Sequence, residues 1–356
     1  MQVPYNPLSP SFRAWQLPQP PEPPRLLAEL AANHQTSSSA KPSGEAASGG
    51  ASTPSTGGTG QSPGVQAFLL RVQELGALYL LGSDGNDKLS GWSNSFIDGG
   101  AGDDQIRAWS GSAAYGGSGN DQIHVWSDSV VDAGTGDDIV RAWSNTVTLG
   151  GAGNDAISAW SDSVVDGGTG DDVVRAWSNT VTMGGAGNDV ISAWSDSVAD
   201  GGAGNDTISI WSDSRAYGGD GDDSITARVG GYVEGGAGND TIDADNGAVV
   251  SGGTGDDVIR ADRGATVLFN AGDGKDTVFV NRDVTIKLGE GFSADNMNVT
   301  MSGNVATISF GEGSDELTLN LGFHPVSLSF ADGSSAEIKA DVFSVVRTQT
   351  GASKVA

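Results

Sequence analysis

The sequence predicts an all-β fold, a parallel β-roll (a β-solenoid) of 17-residue coils. Three observations carry the prediction. From Gly82 an aspartate recurs every 17 residues without a slip: Asp87, Asp104, Asp121, Asp138, Asp155, Asp172, Asp189, Asp206, Asp223, Asp240 and Asp257. Inside each unit the apolar residues alternate with a period of two, as in a strand with one buried face. Each unit also opens on a turn of the form Gly-Gly-x-Gly-[Asn/Asp]-Asp or a close variant. A short fixed period of this kind belongs to stacked coils, each burying its apolar side only against its neighbours.

Residues 1–64 are rich in Pro, Ser, Gly, Thr and Ala and read as a disordered leader, too poor in apolar surface to offset its ordering entropy. Residues 65–81 read as an N-terminal cap. Phe68, Leu69, Val72 and Leu75 have helical spacing before Gly76, and ALYLL (77–81) alternates as a strand. Such a cap would shield the open end of the coils, which span 82–268. Counting the first Gly of each unit as position 1, positions 8 and 10 point inward from one strand and positions 14 and 16 from the other. Position 13 is Asn, Asp or Gly, which suits a left-handed turn residue. Residues 269–345 read as a C-terminal antiparallel β cap, with strands in DVTIKLG (283–289), NVTMSG (298–303), VATISFG (305–311) and LTLNLG (317–322). The tail is 346–356.

Composition narrows the partners. The 356 residues include 55 Gly and no Cys, and the formal net charge is -27. Nucleic acid and anionic membranes are excluded as expected partners, because both contacts need clustered Lys and Arg. Multivalent cations are favoured. No apolar run is long enough for a transmembrane helix, and the N-terminus lacks the basic start and apolar core of a Sec-type signal peptide.

The turn chemistry points to calcium. A hard cation that takes six to eight oxygens needs carboxylates and peptide carbonyls converging on one point. Position 6 supplies the eleven aspartates named above. Position 5 supplies an amide or carboxylate oxygen from Asn86, Asp103, Asn120, Asp137, Asn154, Asp171, Asn188, Asn205, Asp222, Asn239 and Asp256. Position 4 supplies the glycines that let the backbone turn, Gly85, Gly102, Gly119, Gly136, Gly153, Gly170, Gly187, Gly204, Gly221, Gly238 and Gly255. Stacking would place several ions in a column between successive turns, and a carboxylate column without them would repel itself. Metal binding is therefore expected to be coupled to folding.

Position 11 is Trp in eight successive units: Trp92, Trp109, Trp126, Trp143, Trp160, Trp177, Trp194 and Trp211. Parity points it outward, on the edge away from the calcium turns. Stacked indoles would stabilise the rod by about 0.5–1.5 kcal/mol per pair beyond burial. Arg107, Arg141 and Arg175 at position 9 could add cation–π contacts. The same stripe could instead meet a glycan or a cell-surface protein. Both readings stay open.

The repeats resemble those of the RTX (repeat-in-toxin, haemolysin-type) calcium-binding proteins over residues 82 to about 340. FNAGDGKDTVFV (269–280) and LSFADGSSAEI (328–338) are similar to the segments that follow such repeats. The resemblance implies a β-roll that is disordered at low calcium and folds outside the cell. It also implies type I secretion by an uncleaved C-terminal signal. One departure stands out. RTX rolls usually carry calcium turns on both edges with 18-residue coils, whereas here the second turn, Trp-Ser-Asp-Ser or Trp-Ser-Asn-Thr, lacks the glycines. One calcium column is expected.

No catalytic role is expected. His34, His124 and His324 are far apart, no HExxH is present, and Cys chemistry is impossible. The first functional reading is a secreted structural or adhesive protein. The alternatives are an effector or harpin-like factor exported by a needle-type system, motivated by the Ser/Pro-rich leader, and an enzyme acting on polysaccharide. An ice-binding rod is disfavoured because Thr is sparse.

Overall fold

The computed structural model describes residues 78–311, 313–322, 324–339 and 346–348. The expected leader, the helical part of the N-terminal cap and most of the tail lie outside the described residues. The described residues hold 31 strands, numbered in chain order from β1 (Leu78–Leu81) to β31 (Val346–Thr348). Odd strands from β1 to β25 lie in a 16-stranded sheet and even strands from β2 to β24 in a 15-stranded sheet. One strand from each sheet and two turns make a coil. Val164 lies beside Val181, and Ala156 beside Val173, so the chain climbs one parallel strand for every 17 residues.

The side-chain parity follows the predicted pattern. Position 8 buries Ile106, Ile123, Ile157, Ile191, Ile208, Ile225, Ile242 and Ile259, and position 10 is mostly a buried alanine, as at Ala142 and Ala159. Position 16 faces them with small or β-branched residues such as Val131, Val165 and Ala199. Each fully buried isoleucine contributes roughly 1.5–3 kcal/mol relative to exposure. Position 14 buries hydroxyls, which the stack satisfies coil to coil: Thr146 Oγ1 donates to Ser163 Oγ at 3.0 Å, and Thr180 Oγ1 to Ser197 Oγ at 3.0 Å. Position 13 is left-handed, with φ between 52° and 59° at Asn94, Asp128, Asn145, Asp162, Asn179, Asp196 and Asp213, and glycine at Gly111, Gly230, Gly247 and Gly264.

The C-terminal end differs from expectation. Antiparallel pairing is present: β26 (Met297–Ser302) pairs with β27 (Val305–Phe310), β27 with β28 (Glu316–Leu321), and β29 (Val326–Phe330) with β30 (Ser335–Ile338). But β25 (Thr285–Leu288), expected to be antiparallel, runs parallel between β23 (Thr266–Phe269) and β29. Likewise β24 (Lys275–Val280) runs parallel between β22 (Val258–Ala261) and β28. The coil stack thus continues past residue 268. Two physical changes hid this. The Thr266 to Thr285 step is two residues longer than 17, and the β26–β27 hairpin is inserted into the coil after that. Alternation survives both changes, but strand direction cannot be read from alternation.

Candidate metal centre and the second edge

The position-6 aspartates point into the turn rather than out of it. From Asp104 to Asp257 each is buried, with 0–2% of its surface exposed. One carboxylate oxygen is used in the stack: Oδ1 accepts the backbone N–H of the equivalent aspartate one coil earlier, as from Asp155 to Asp172 at 2.7 Å and from Asp172 to Asp189 at 2.7 Å. The other oxygen, Oδ2, is buried without a hydrogen-bond partner in Asp104, Asp121, Asp138, Asp155, Asp172, Asp189, Asp206, Asp223, Asp240, Asp257 and Asp276. Asp87 differs. Ser83 fills its Oδ2 with a backbone N–H at 2.7 Å and a hydroxyl at 2.8 Å.

The glycine at position 1 defines what surrounds Oδ2. A Cβ built on Gly167 would stand 2.4 Å from Asp172 Oδ2 and 2.4 Å from the Gly184 carbonyl oxygen. The same holds on Gly218, at 2.2 Å from both Asp223 Oδ2 and the Gly235 oxygen. A buried carboxylate oxygen and a peptide oxygen therefore share one small space, and the carboxylate finds no donor there. A proton or a cation must balance it. Burial first, and then neighbouring carboxylates, push most of these groups above the usual 3.8, against the backbone N–H bond that lowers them. Asp121, Asp155, Asp189, Asp240 and Asp257 rise to about 6, and Asp138, Asp172 and Asp223 to about 7. Asp276 rises to about 8.

These donors fit calcium. Among the described residues no three acidic or histidine side chains converge to hold a metal by themselves. An ion here would combine Oδ2 with peptide oxygens, a donor set that a cation with many flexible oxygen ligands accepts and magnesium's rigid octahedron does not. In the fourth coil position 1 is Ala133 rather than Gly. Its methyl stands where every other coil leaves room beside Oδ2, so the Asp138 site is the crowded member of the column.

Position 5 is exposed. These side chains line the outside of the turn. Each Oδ1 accepts the backbone N–H of the next coil, from Asp103 onto Asn86 at 3.0 Å through Asn188 onto Asp171 at 2.7 Å to Asp256 onto Asn239 at 2.9 Å. This exposed ladder supports the turns but is not brought into the buried row. At position 4 the glycines from Gly102 to Gly255 are left-handed, with φ from 104° to 141°. The sequence reading missed Asp276. Its Oδ1 accepts the Asp257 N–H at 3.2 Å, 19 residues on. The signal was present in Gly272-Asp273-Gly274-Lys275-Asp276, which keeps the Gly-x-Gly-x-Asp spacing two residues out of phase.

On the second edge the indoles point outward and stack ring on ring. Trp92, Trp109 and Trp126 form one stack, with centroids 5.6 and 4.3 Å apart. Trp143, Trp160, Trp177, Trp194 and Trp211 form another, at 4.5, 4.7, 5.2 and 5.0 Å, with interplanar angles of 4–13°. The two stacks meet where the Ala133 coil begins. Ring faces are thus occupied by neighbouring rings, and the ladder presents mainly edges to solvent. The expected Arg–indole contacts are not found among the described residues; Arg141 Nη1 instead lies 2.9 Å from His124 Nε2.

A stack of near-identical turns with a buried carboxylate row on one edge is a repeat architecture suited to holding cations along its length. The RTX calcium-binding nonapeptide repeat matches residues 93–112, 114–129, 183–208, 212–231 and 232–248. Over those residues the chain carries repeats of the RTX haemolysin type, which bind calcium, and they stack as a parallel β-solenoid. Among solved structures it is similar to the extracellular lipase LipA from Serratia marcescens, at 18% identity and a TM-score of 0.26. That alignment covers 55% of this chain and 38% of the lipase. No curated protein matches.

Proposed function

We propose that this chain is a secreted rod that folds when calcium fills the column of buried carboxylates, and that its role is structural or adhesive rather than catalytic. The observation that carries the reading is the row of Oδ2 atoms, each buried with nothing to donate to it and most beside a peptide oxygen. Calcium at these points supplies positive charge and accepts both kinds of oxygen. The chain's own residues do the rest: Oδ1 fixes each carboxylate to the coil before it, position 1 keeps space open, and the position-5 ladder holds the turn from outside. Ions would lie on this edge only, since the Trp edge has neither the glycines nor a buried carboxylate. RTX repeats are typical of type I secreted proteins, which supports an extracellular site rich in calcium. The indole stacks stiffen the opposite edge.

The test is a calcium titration followed by far-UV circular dichroism and Trp fluorescence, with magnesium as the control. β structure should be weak in chelator and should rise cooperatively with calcium, with the indole spectrum shifting in step. A chain equally folded and equally stable in chelator and in calcium would overturn the proposal.

A further inference from the structure

The Trp column ends at Trp211, and the next coils place Arg228, Asp245 and Asp262 at position 11, followed by Asn281. Beside them, position 9 holds Thr226, Asp243, Arg260 and Phe279. The two rows enclose an open trench of about 420 Å³ on the outer face of the 15-stranded sheet, within the range of ligand pockets. It spans three coil spacings, ~14 Å along the rod.

The lining has a definite chemistry. Arg260 pairs with Asp243 at 3.3 Å and lies over the Phe279 ring at 5.6 Å. Phe279 is nonetheless 39% exposed. Arg228 and Asn281 bring donors, Asp243, Asp245 and Asp262 bring acceptors, Phe279 brings the apolar surface, and the strands at Ala261 and Val280, whose side chains face the core, form the floor. Three carboxylates against two guanidinia leave little net charge to select an anion or a cation. A ligand that both gives and takes hydrogen bonds, and has an apolar face, satisfies every wall. Hydroxyl groups on a ring do this.

We propose that this trench binds a neutral oligosaccharide, with Arg228, Asp243, Asp245 and Asn281 holding hydroxyls and Phe279 contacting the C–H face of a sugar ring. The ladder itself is a poorer platform, because its ring faces are already covered by one another. The assignment rests on the folded, calcium-loaded rod of the proposed function.

The experiment uses the full chain in calcium, with folding verified first by circular dichroism. A glycan array of neutral and acidic oligosaccharides is followed by calorimetry with the best binder, or with cellohexaose and mannohexaose if these bind. A neutral oligosaccharide should bind. Arg228→Gln combined with Asp245→Asn should weaken it at least tenfold, Phe279→Ala should weaken it as well, and Trp160→Ala should leave it unchanged. Circular dichroism of each variant separates lost binding from lost fold. Failure to fold in calcium would sink the rod proposal before any glycan is added. A folded chain that binds no neutral glycan, or whose binding is lost in Trp160→Ala and kept in the trench variants, would overturn the trench assignment alone.

Discussion

Replacing Asp155, Asp172 and Asp189 together by asparagine should have opposite effects with and without metal. Each amide keeps the Oδ1 that accepts the previous coil's N–H, at 2.8, 2.7 and 2.7 Å in the native chain. Each also places an N–H donor where Oδ2 now lies buried without a partner. An unsatisfied buried oxygen costs about 1–3 kcal/mol, so three of them amount to about 3–9 kcal/mol as an upper figure, since adjacent sites in one ladder do not add. In chelator the triple variant should therefore hold more β structure, or need more urea to unfold, than the native chain. In calcium the order should reverse, because three carboxylate ligands are gone and fewer ions bind by equilibrium dialysis. Urea unfolding followed by far-UV circular dichroism in both media reads the two effects. A variant less stable than the native chain in chelator would refute the claim that these oxygens are orphaned without metal.

Stability should fall with rising pH in chelator and lose that dependence in saturating calcium. Carboxyls that rise from 3.8 to about 7 on folding bind more protons in the folded chain between those values, so in chelator the urea midpoint should fall as pH rises from 4 toward 7. In calcium, protons compete with the ion for the same oxygens of the folded chain, so the calcium needed to half-saturate the sites in equilibrium dialysis should rise as pH drops below about 6. Ala133→Gly should open the crowded fourth-coil site and tighten or add one ion in dialysis. Gly184→Ala, whose Cβ would stand 2.2 Å from Asp189 Oδ2, should remove one. Trp177→Ala deletes stacks at 4.7 and 5.2 Å and should cost about 1–3 kcal/mol beyond lost burial, with a smaller near-UV dichroism signal. Trp92→Ala deletes a single looser stack at 5.6 Å and should cost half of that or less.

The parts of the fold legible in the sequence were those set by repetition. Eleven aspartates in phase fix the coil length, and the period of two fixes which side of Ile157 or Ala159 is buried. The left-handed residue at position 13 could be named because only Gly, Asn and Asp appear there. What escaped was set by events that break phase. Two extra residues near Asn270 moved Asp276 out of register, and the β26–β27 hairpin disguised two further parallel strands as part of an antiparallel cap. The placement of the candidate ligands was legible only in part. Position 6 lies in the buried row, whereas position 5, equally invariant in type, is held outside the turn by its hydrogen bond to the next coil. Composition cannot tell the two apart; the side a residue faces decides it.

Coils this alike have a consequence for assembly. Residues 116–149 and 150–183 are so similar that either could sit on the other's neighbours. A strand that docks 17 or 34 residues away from its proper place still finds a carboxylate for its N–H and an isoleucine or valine for its core. Misplaced pairing is therefore almost isoenergetic, and the repeats alone do not count themselves. The irregular features supply the count. The 19-residue coil, the Phe269, Phe292 and Phe310 cluster, and Ala133 each occur once and fit one place only. They act as fiducial marks on an otherwise uniform ruler, and removing them should yield rods of mixed register.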